Sequence, residues 1–187
     1  PNIGKSTLMN NITNAKPKIS EHPYTTFKPE LGALDYQGIN IQTIEIPSSF
    51  EPEFMSICRT ANLVVLLYKN KEDLSEIKQI CKDRFIHTKK ISIQRNTEPD
   101  KIKEKVWESL GLIIVYTRDR MKKKADKPMA LKKTATIEEF AKNIHKDFVK
   151  NFRFAKIWRK ENKKTLEKQV GLKYQLKNND IVEVYTK

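Results

Sequence analysis

Along the first hundred residues, short and nearly continuous apolar runs alternate with stretches in which apolar positions recur at helical spacing. Leu63 to Tyr68 reads as a buried strand, and Ala33 to Tyr36 and Ile39 to Ile46 read as two further strands around a turn at Gln37-Gly38. Lys90 to Arg95 has the same character. Between them lie a short helix over Leu8 to Thr13, a helix opened by a capping box at Asp73-Leu74-Ser75-Glu76 and running to about Arg84, and a helix over Lys101 to Leu110. Alternating elements of this kind predict an α/β fold with a mostly parallel sheet flanked by helices.

Beyond residue 112 the pattern changes. Ile137, Phe140, Ala141, Ile144 and Phe148 form one apolar stripe at helical spacing, while Glu138, Lys142, Lys146 and Lys150 point elsewhere. Thr136 precedes this helix as a cap and Glu139 completes a capping box. Asn178-Asn179-Asp180 reads as a turn before a strand over Ile181 to Tyr185, so the pattern predicts one helix laid across a small mixed sheet.

Charge separates the two halves. Residues 1–100 carry 13 Lys/Arg against 12 Asp/Glu, whereas residues 101–187 carry 24 against 11. Nearly all of the net charge of +14 therefore lies in the second half, which makes it the expected contact surface for nucleic acid; a solubility role for the lysines is the alternative. Cys58 and Cys81 lack metal-ligand spacing and suit a reducing, cytoplasmic setting. The longest apolar runs, Leu63 to Leu67 and Leu112 to Tyr116, fall far short of a membrane span, so no membrane partner is expected.

The chemistry is concentrated at the start. Pro1-Asn2-Ile3-Gly4-Lys5-Ser6-Thr7 matches the second half of a phosphate-binding loop, in which backbone N–H groups from Asn2 to Thr7 cradle phosphate, Lys5 offsets its charge and the Ser6 hydroxyl holds Mg²⁺. The leading Gly and its strand are expected upstream of Pro1, so the chain reads as a fragment. The helix that follows reinforces the assignment, because a helix N-terminus is itself an anion site.

Lys16-Pro17-Lys18-Ile19-Ser20-Glu21-His22-Pro23-Tyr24-Thr25-Thr26-Phe27-Lys28-Pro29-Glu30-Leu31-Gly32 resembles the first switch of the Obg-like and developmentally regulated GTP-binding proteins. The resemblance implies that Thr26 closes over the γ-phosphate and Mg²⁺, together with Ser6. It also implies a second switch of the form D-x-P-G, where this chain has Glu45-Ile46-Pro47-Ser48. Glu45 keeps the metal-facing charge with one more methylene, and Ser48 offers an N–H to the γ-phosphate without glycine's backbone freedom. The glycine-rich remainder of that switch is shortened here, but Arg59-Thr60-Ala61-Asn62-Leu63 matches again. The family uses no catalytic glutamine in this switch, and no general base is assigned.

Guanine recognition is the weak point. Asn70-Lys71-Glu72-Asp73 spells N-K-x-D but sits one strand too early, with Asp73 already committed to helix capping. Where the motif belongs, the chain offers Ile91-Ser92-Ile93-Gln94-Arg95-Asn96-Thr97-Glu98-Pro99-Asp100.

Further on, Lys105 to Arg118 resembles the junction into the ubiquitin-like β-grasp module of the same family, the TGS domain, and Thr136 to Lys146, Phe154 to Trp158, Val170-Gly171-Leu172 and Asp180 to Val184 resemble that module in order and spacing. His145 and Trp158 are read as surface or core residues, although basic neighbours keep RNA stacking on Trp158 open.

The resemblance therefore implies a partial, internally reduced P-loop GTPase-like domain over residues 1–100, a connecting helix over 101–112 and a TGS domain over 113–187. The expected ligands are GTP and Mg²⁺. The expected function is that of a GTP-binding factor, a Mg²⁺-dependent GTP hydrolase if active, associated with ribosomes or ribosomal RNA through the basic half. The alternative is a nucleotide-independent RNA- or ribosome-binding module, or a protein adaptor acting through the TGS domain.

Overall fold

The computed structural model describes residues 4–13, 28–49, 51–118, 125–161 and 164–187. The chain divides into two units, Pro1–Leu110 and Gly111–Lys187.

The first unit runs α1 (Lys5–Ile12), β1 (Glu30–Tyr36), β2 (Ile39–Glu45), α2 (Pro52–Thr60), β3 (Val64–Tyr68), α3 (Lys71–Asp83), β4 (Lys90–Gln94) and α4 (Pro99–Leu110). β1 and β2 form an antiparallel hairpin, with Tyr36 opposite Ile39. Its two-residue turn has φ 52° at Gln37 and 83° at Gly38, the doubly left-handed geometry that matches strand twist. β3 and β4 pair in parallel through the α3 crossover. The parallel pairing expected for this half is thus confined, among the described residues, to one pair, because so short a turn enforces an antiparallel hairpin.

The apolar run of β3 serves two cores. Leu67 joins Ile12, Leu34, Ile93, Ile102 and Val106 on one side, and Leu66 joins Met55, Cys58, Cys81 and Ile86 on the other. Alternation of side chains along a strand requires this division, and it explains why β3 is apolar on both faces. The expected connecting helix starts two residues early, at Pro99, and its Ile102, Val106 and Trp107 are buried. Trp107 stacks on Tyr36 at 4.9 Å between ring centroids. Gly32 permits the close approach of α1 to β1, since a Cβ there would lie 3.0 Å from Met9 Cε and 3.0 Å from Thr13 Oγ1.

The second unit contains β5 (Leu112–Arg118), β6 (Ala125–Lys132), α5 (Ile137–Ile144), α6 (Lys146–Lys150), β7 (Phe152–Glu161), β8 (Lys164–Val170) and β9 (Asp180–Thr186). Its sheet has the order β6-β5-β9-β7-β8, with β5 and β9 parallel and the other pairs antiparallel. α5 lays Ile137, Phe140 and Ala141 into a core with Val115, Ala155, Ile157, Leu176 and Val182. This is the β-grasp arrangement. The Thr136–Glu139 capping box forms, with Thr136 N donating to Glu139 Oε2 at 3.0 Å. The stripe is interrupted, however: His145 is extended, so Phe148 belongs to the separate helix α6. His145 caps that helix by accepting from Asp147 N through Nδ1 at 3.2 Å, in keeping with a surface role.

Arg159 and Asp180 hold β7 to the start of β9. Two bonds of 2.7 and 2.8 Å join them, and the Asp180 side chain is wholly buried. Asp180 Oδ2 also accepts from Lys177 N at 2.8 Å, so each carboxylate oxygen is satisfied.

Candidate phosphate and metal site

α1 begins at Gly4, whose φ of 89° and ψ of 31° lie in the left-handed region that glycine enters without strain. Among the described residues no side chain caps the helix, and its first turn contains no acidic residue, so its free N–H groups give it a positive end. Lys5 and Ser6 occupy that turn.

The end of β2 comes against them. Ser6 Oγ donates to Glu45 Oε1 at 2.9 Å, and Lys5 Nζ lies 3.9 Å from the same oxygen. Lys5 also donates to Ser48 Oγ at 2.7 Å. The Glu45 side chain is 3% exposed, and its second oxygen, Oε2, is buried with no hydrogen-bond partner among the described residues. Burial pushes the Glu45 carboxyl above its usual range, against the opposing pull of Ser6 and Lys5. Burial likewise lowers the Lys5 ammonium, with Glu45 working in the other direction.

A buried carboxylate with one unused oxygen, next to a hydroxyl, offers the hard oxygen donors that Mg²⁺ prefers. Ser6 and Glu45 therefore fit a Mg²⁺ ion, and the α1 N-terminus with Lys5 fits a phosphate chain. Of the residues singled out by sequence, Gly4, Lys5, Ser6, Glu45 and Ser48 come together, and Thr7 sits exposed in the same turn. Asn2, Ile3 and Thr26 lie outside the described residues. The Ser48 side chain meets the lysine itself, a contact that its motif position did not announce.

The N-K-x-D stretch caps a helix. Asn70, not Asp73, is the N-cap of α3: Asn70 Oδ1 accepts from Asp73 N at 2.8 Å, and Asp73 Oδ2 accepts from Asn70 N at 3.3 Å. The capping box expected at Asp73–Glu76 thus forms three residues earlier, because Asn70 is the better-placed oxygen acceptor ahead of the first helical turn.

One neighbour of the loop escaped the sequence reading. The Arg95 side chain, directly after β4, lies against Gly4: a Cβ on that glycine would be 3.5 Å from Arg95 Nε. The available signal was a basic residue immediately following the strand where base recognition was sought.

The family model of the 50S ribosome-binding GTPases matches residues 1–133, and that of the TGS domain matches residues 113–186. A GTP-binding protein of Methanocaldococcus jannaschii is 24% identical, aligning over all of this chain and 76% of its own length. Developmentally-regulated G-protein 3 of Arabidopsis thaliana is 21% identical over all of this chain and 80% of its own. The alignment with the archaeal protein exceeds this chain's length by more than half, so large stretches of that relative face gaps here. The GTPase Obg of Endomicrobium trichonymphae is 44% identical over 30% of this chain and 14% of its own. Among solved structures, a GTP-binding protein of Pyrococcus horikoshii matches with a TM-score of 0.40 at 18% identity, over 67% of this chain. The chain spans 45% of that structure's length.

Proposed function

The chain belongs to the 50S ribosome-binding GTPase family and also contains a TGS domain, and from that premise we propose that it binds GTP with Mg²⁺ at the start of α1. The observation that carries the reading is the buried Glu45 carboxylate, joined to Ser6 and facing Lys5 with one oxygen unused. Lys5 and the α1 N–H groups would take the phosphates, while Ser6 and Glu45 would hold the ion; the family resemblance adds Thr26, which lies outside the described residues. Mg²⁺ bound there supplies charge neutralisation for phosphoryl transfer. Hydrolysis is the family reaction, and the attacking water's base has no assigned residue in this chain.

Titration with a fluorescent GTP analogue tests the reading. Binding should require Mg²⁺ and be lost in Lys5→Ala; equal affinity with and without the ion, and in the variant, sinks it.

The partner side of the proposal is a ribosome or ribosomal RNA met by the basic TGS half in the cytoplasm, with a protein partner as the other candidate. On β7, Phe154, Lys156 and Trp158 alternate with the buried Ala155 and Ile157. Phe154 stacks on Tyr185 at 4.4 Å, and the Arg118 guanidinium lies 4.0 Å from the Trp158 ring centroid. Rings and cations interleaved on one sheet face suit stacked bases and phosphates. The same face favours the second reading, nucleotide-independent RNA binding on a GTPase domain that no longer cycles. RNA affinity should fall linearly with log salt at about −0.7 per phosphate for single strands. Affinity unchanged by GTP supports the second reading, and salt-independent association favours a protein partner.

A further inference from the structure

Arg95 sits where two other positive features already converge. Its guanidinium packs against Gly4, the residue that opens α1, with Nε 3.5 Å and Cζ 3.9 Å from the Cβ that glycine lacks. The helix end beside it has no acidic residue in its first turn, and Lys5 follows directly. Arg95 is exposed, and among the described residues its side chain has no hydrogen bond or ion pair; only its backbone is engaged, with Arg95 N donating to Tyr68 O at 2.8 Å. Placing an unpaired guanidinium beside a positive helix end and a lysine is electrostatically unfavourable unless an anion joins them. Independently, the buried Glu45 at the end of β2, whose Oε2 has no partner among the described residues, points to a cation beside that turn, which is the companion a polyphosphate brings.

We propose that Arg95 is a phosphate-binding residue of this site, a second side-chain cation that takes the nucleotide's phosphate chain beside Lys5. The inference rests on the nucleotide reading above and extends it to specificity. The segment Gln94-Arg95-Asn96-Thr97 contains no carboxylate to accept the two N–H groups of guanine, Glu98 after it pairs with Lys101 at 2.9 Å, and the Asp73 carboxylate accepts from the backbone at the start of α3. Binding energy thus comes from phosphates rather than from the base. Affinity should rise with phosphate number and differ little between GTP and ATP.

The test uses the whole chain at fixed Mg²⁺, titrated with fluorescent GTP and ATP analogues and with inorganic tripolyphosphate as a displacing probe. Arg95→Ala and Arg95→Gln should weaken GTP, ATP and tripolyphosphate alike, by about tenfold, the usual scale of one charge-assisted hydrogen bond. Arg95→Lys should recover part of the loss, and the salt dependence of binding should flatten in the neutral variants. Because the side chain is exposed and, among the described residues, unpaired, none of the variants should melt below the wild type, and the neutral ones should melt level with it or slightly above as the like-charge crowding is relieved, which circular dichroism checks. Unchanged affinity in Arg95→Ala overturns the proposal. So does a loss confined to GTP, which would make Arg95 a base reader. If the wild type binds neither nucleotide nor tripolyphosphate, the nucleotide reading itself falls and this inference with it.

Discussion

If Lys5 takes phosphate as proposed, it must leave the Ser48 hydroxyl to do so, and this gives a prediction of unusual sign. Lys5 Nζ donates to Ser48 Oγ at 2.7 Å while standing 3.9 Å from Glu45 Oε1. A hydrogen bond from a charged donor contributes about 1.5–3 kcal/mol. That figure is already net of exchange with water, and because the bond is only partly buried its lower end applies, an opposition to phosphate binding of about 1–2 kcal/mol. Ser48→Ala removes the hydroxyl but keeps the backbone N–H, so it should tighten GTP binding by roughly 5- to 30-fold. The same change leaves a partly buried ammonium with less to hold it, so the nucleotide-free protein should become less stable by about 1 kcal/mol. Titration with a fluorescent GTP analogue, paired with thermal unfolding of the nucleotide-free protein, reads both quantities. Affinity within twofold of wild type, or weaker binding, refutes the reasoning, because it would mean that the Ser48 hydroxyl does not compete for Lys5 or itself serves the nucleotide.

Asp73→Ala should cost about 1 kcal/mol through loss of the α3 capping box and leave the ratio of GTP to ATP affinity unchanged, measured by urea unfolding and competition titration. A selective loss of GTP binding would restore the N-K-x-D stretch as a base reader. Asp180→Ala strips Arg159 of both its bonds to a fully buried carboxylate and should cost about 3–5 kcal/mol, a large share of the roughly 4–12 kcal/mol expected of a unit this size. Fluorine NMR of 5-fluorotryptophan-labelled protein, in which Trp158 reports the second unit and Trp107 the first, should show the Trp158 resonance unfolding first. Glu45 has a folded pKa raised by burial, so its contribution to stability is fully present below the unfolded-state pKa and is lost as pH rises through the folded one. Glu45→Gln should flatten the decline in first-unit stability from the ordinary carboxylate range upward, measured as urea midpoints against pH; an unaltered slope would show that the carboxyl titrates as if in water.

What the residues determined by themselves is what depends on near neighbours. The Thr136–Glu139 box, the Ile137-Phe140-Ala141 face, the Gln37-Gly38 turn and the helix opened by Gly4-Lys5-Ser6 all span a few positions, and local sterics and periodicity specify them. Local reasoning failed where two nearby choices competed: Asn70 took the cap expected three residues later, and His145 broke the stripe before Phe148. The site was legible as a motif but not as a geometry. Lys5 meets Ser48 across 43 positions and Ser6 meets Glu45 across 39, while Arg95 reaches Gly4 from the far side of a parallel crossover. Such contacts follow from which strand lies beside which helix, and in what register, and no local period encodes that. Nor could the sequence show that Glu45 is buried with one oxygen unused, because burial is set by how α1 closes on the end of β2. Only the packed chain decides that, since the desolvation that pushes this carboxyl above its usual range exists only once the neighbours have excluded water.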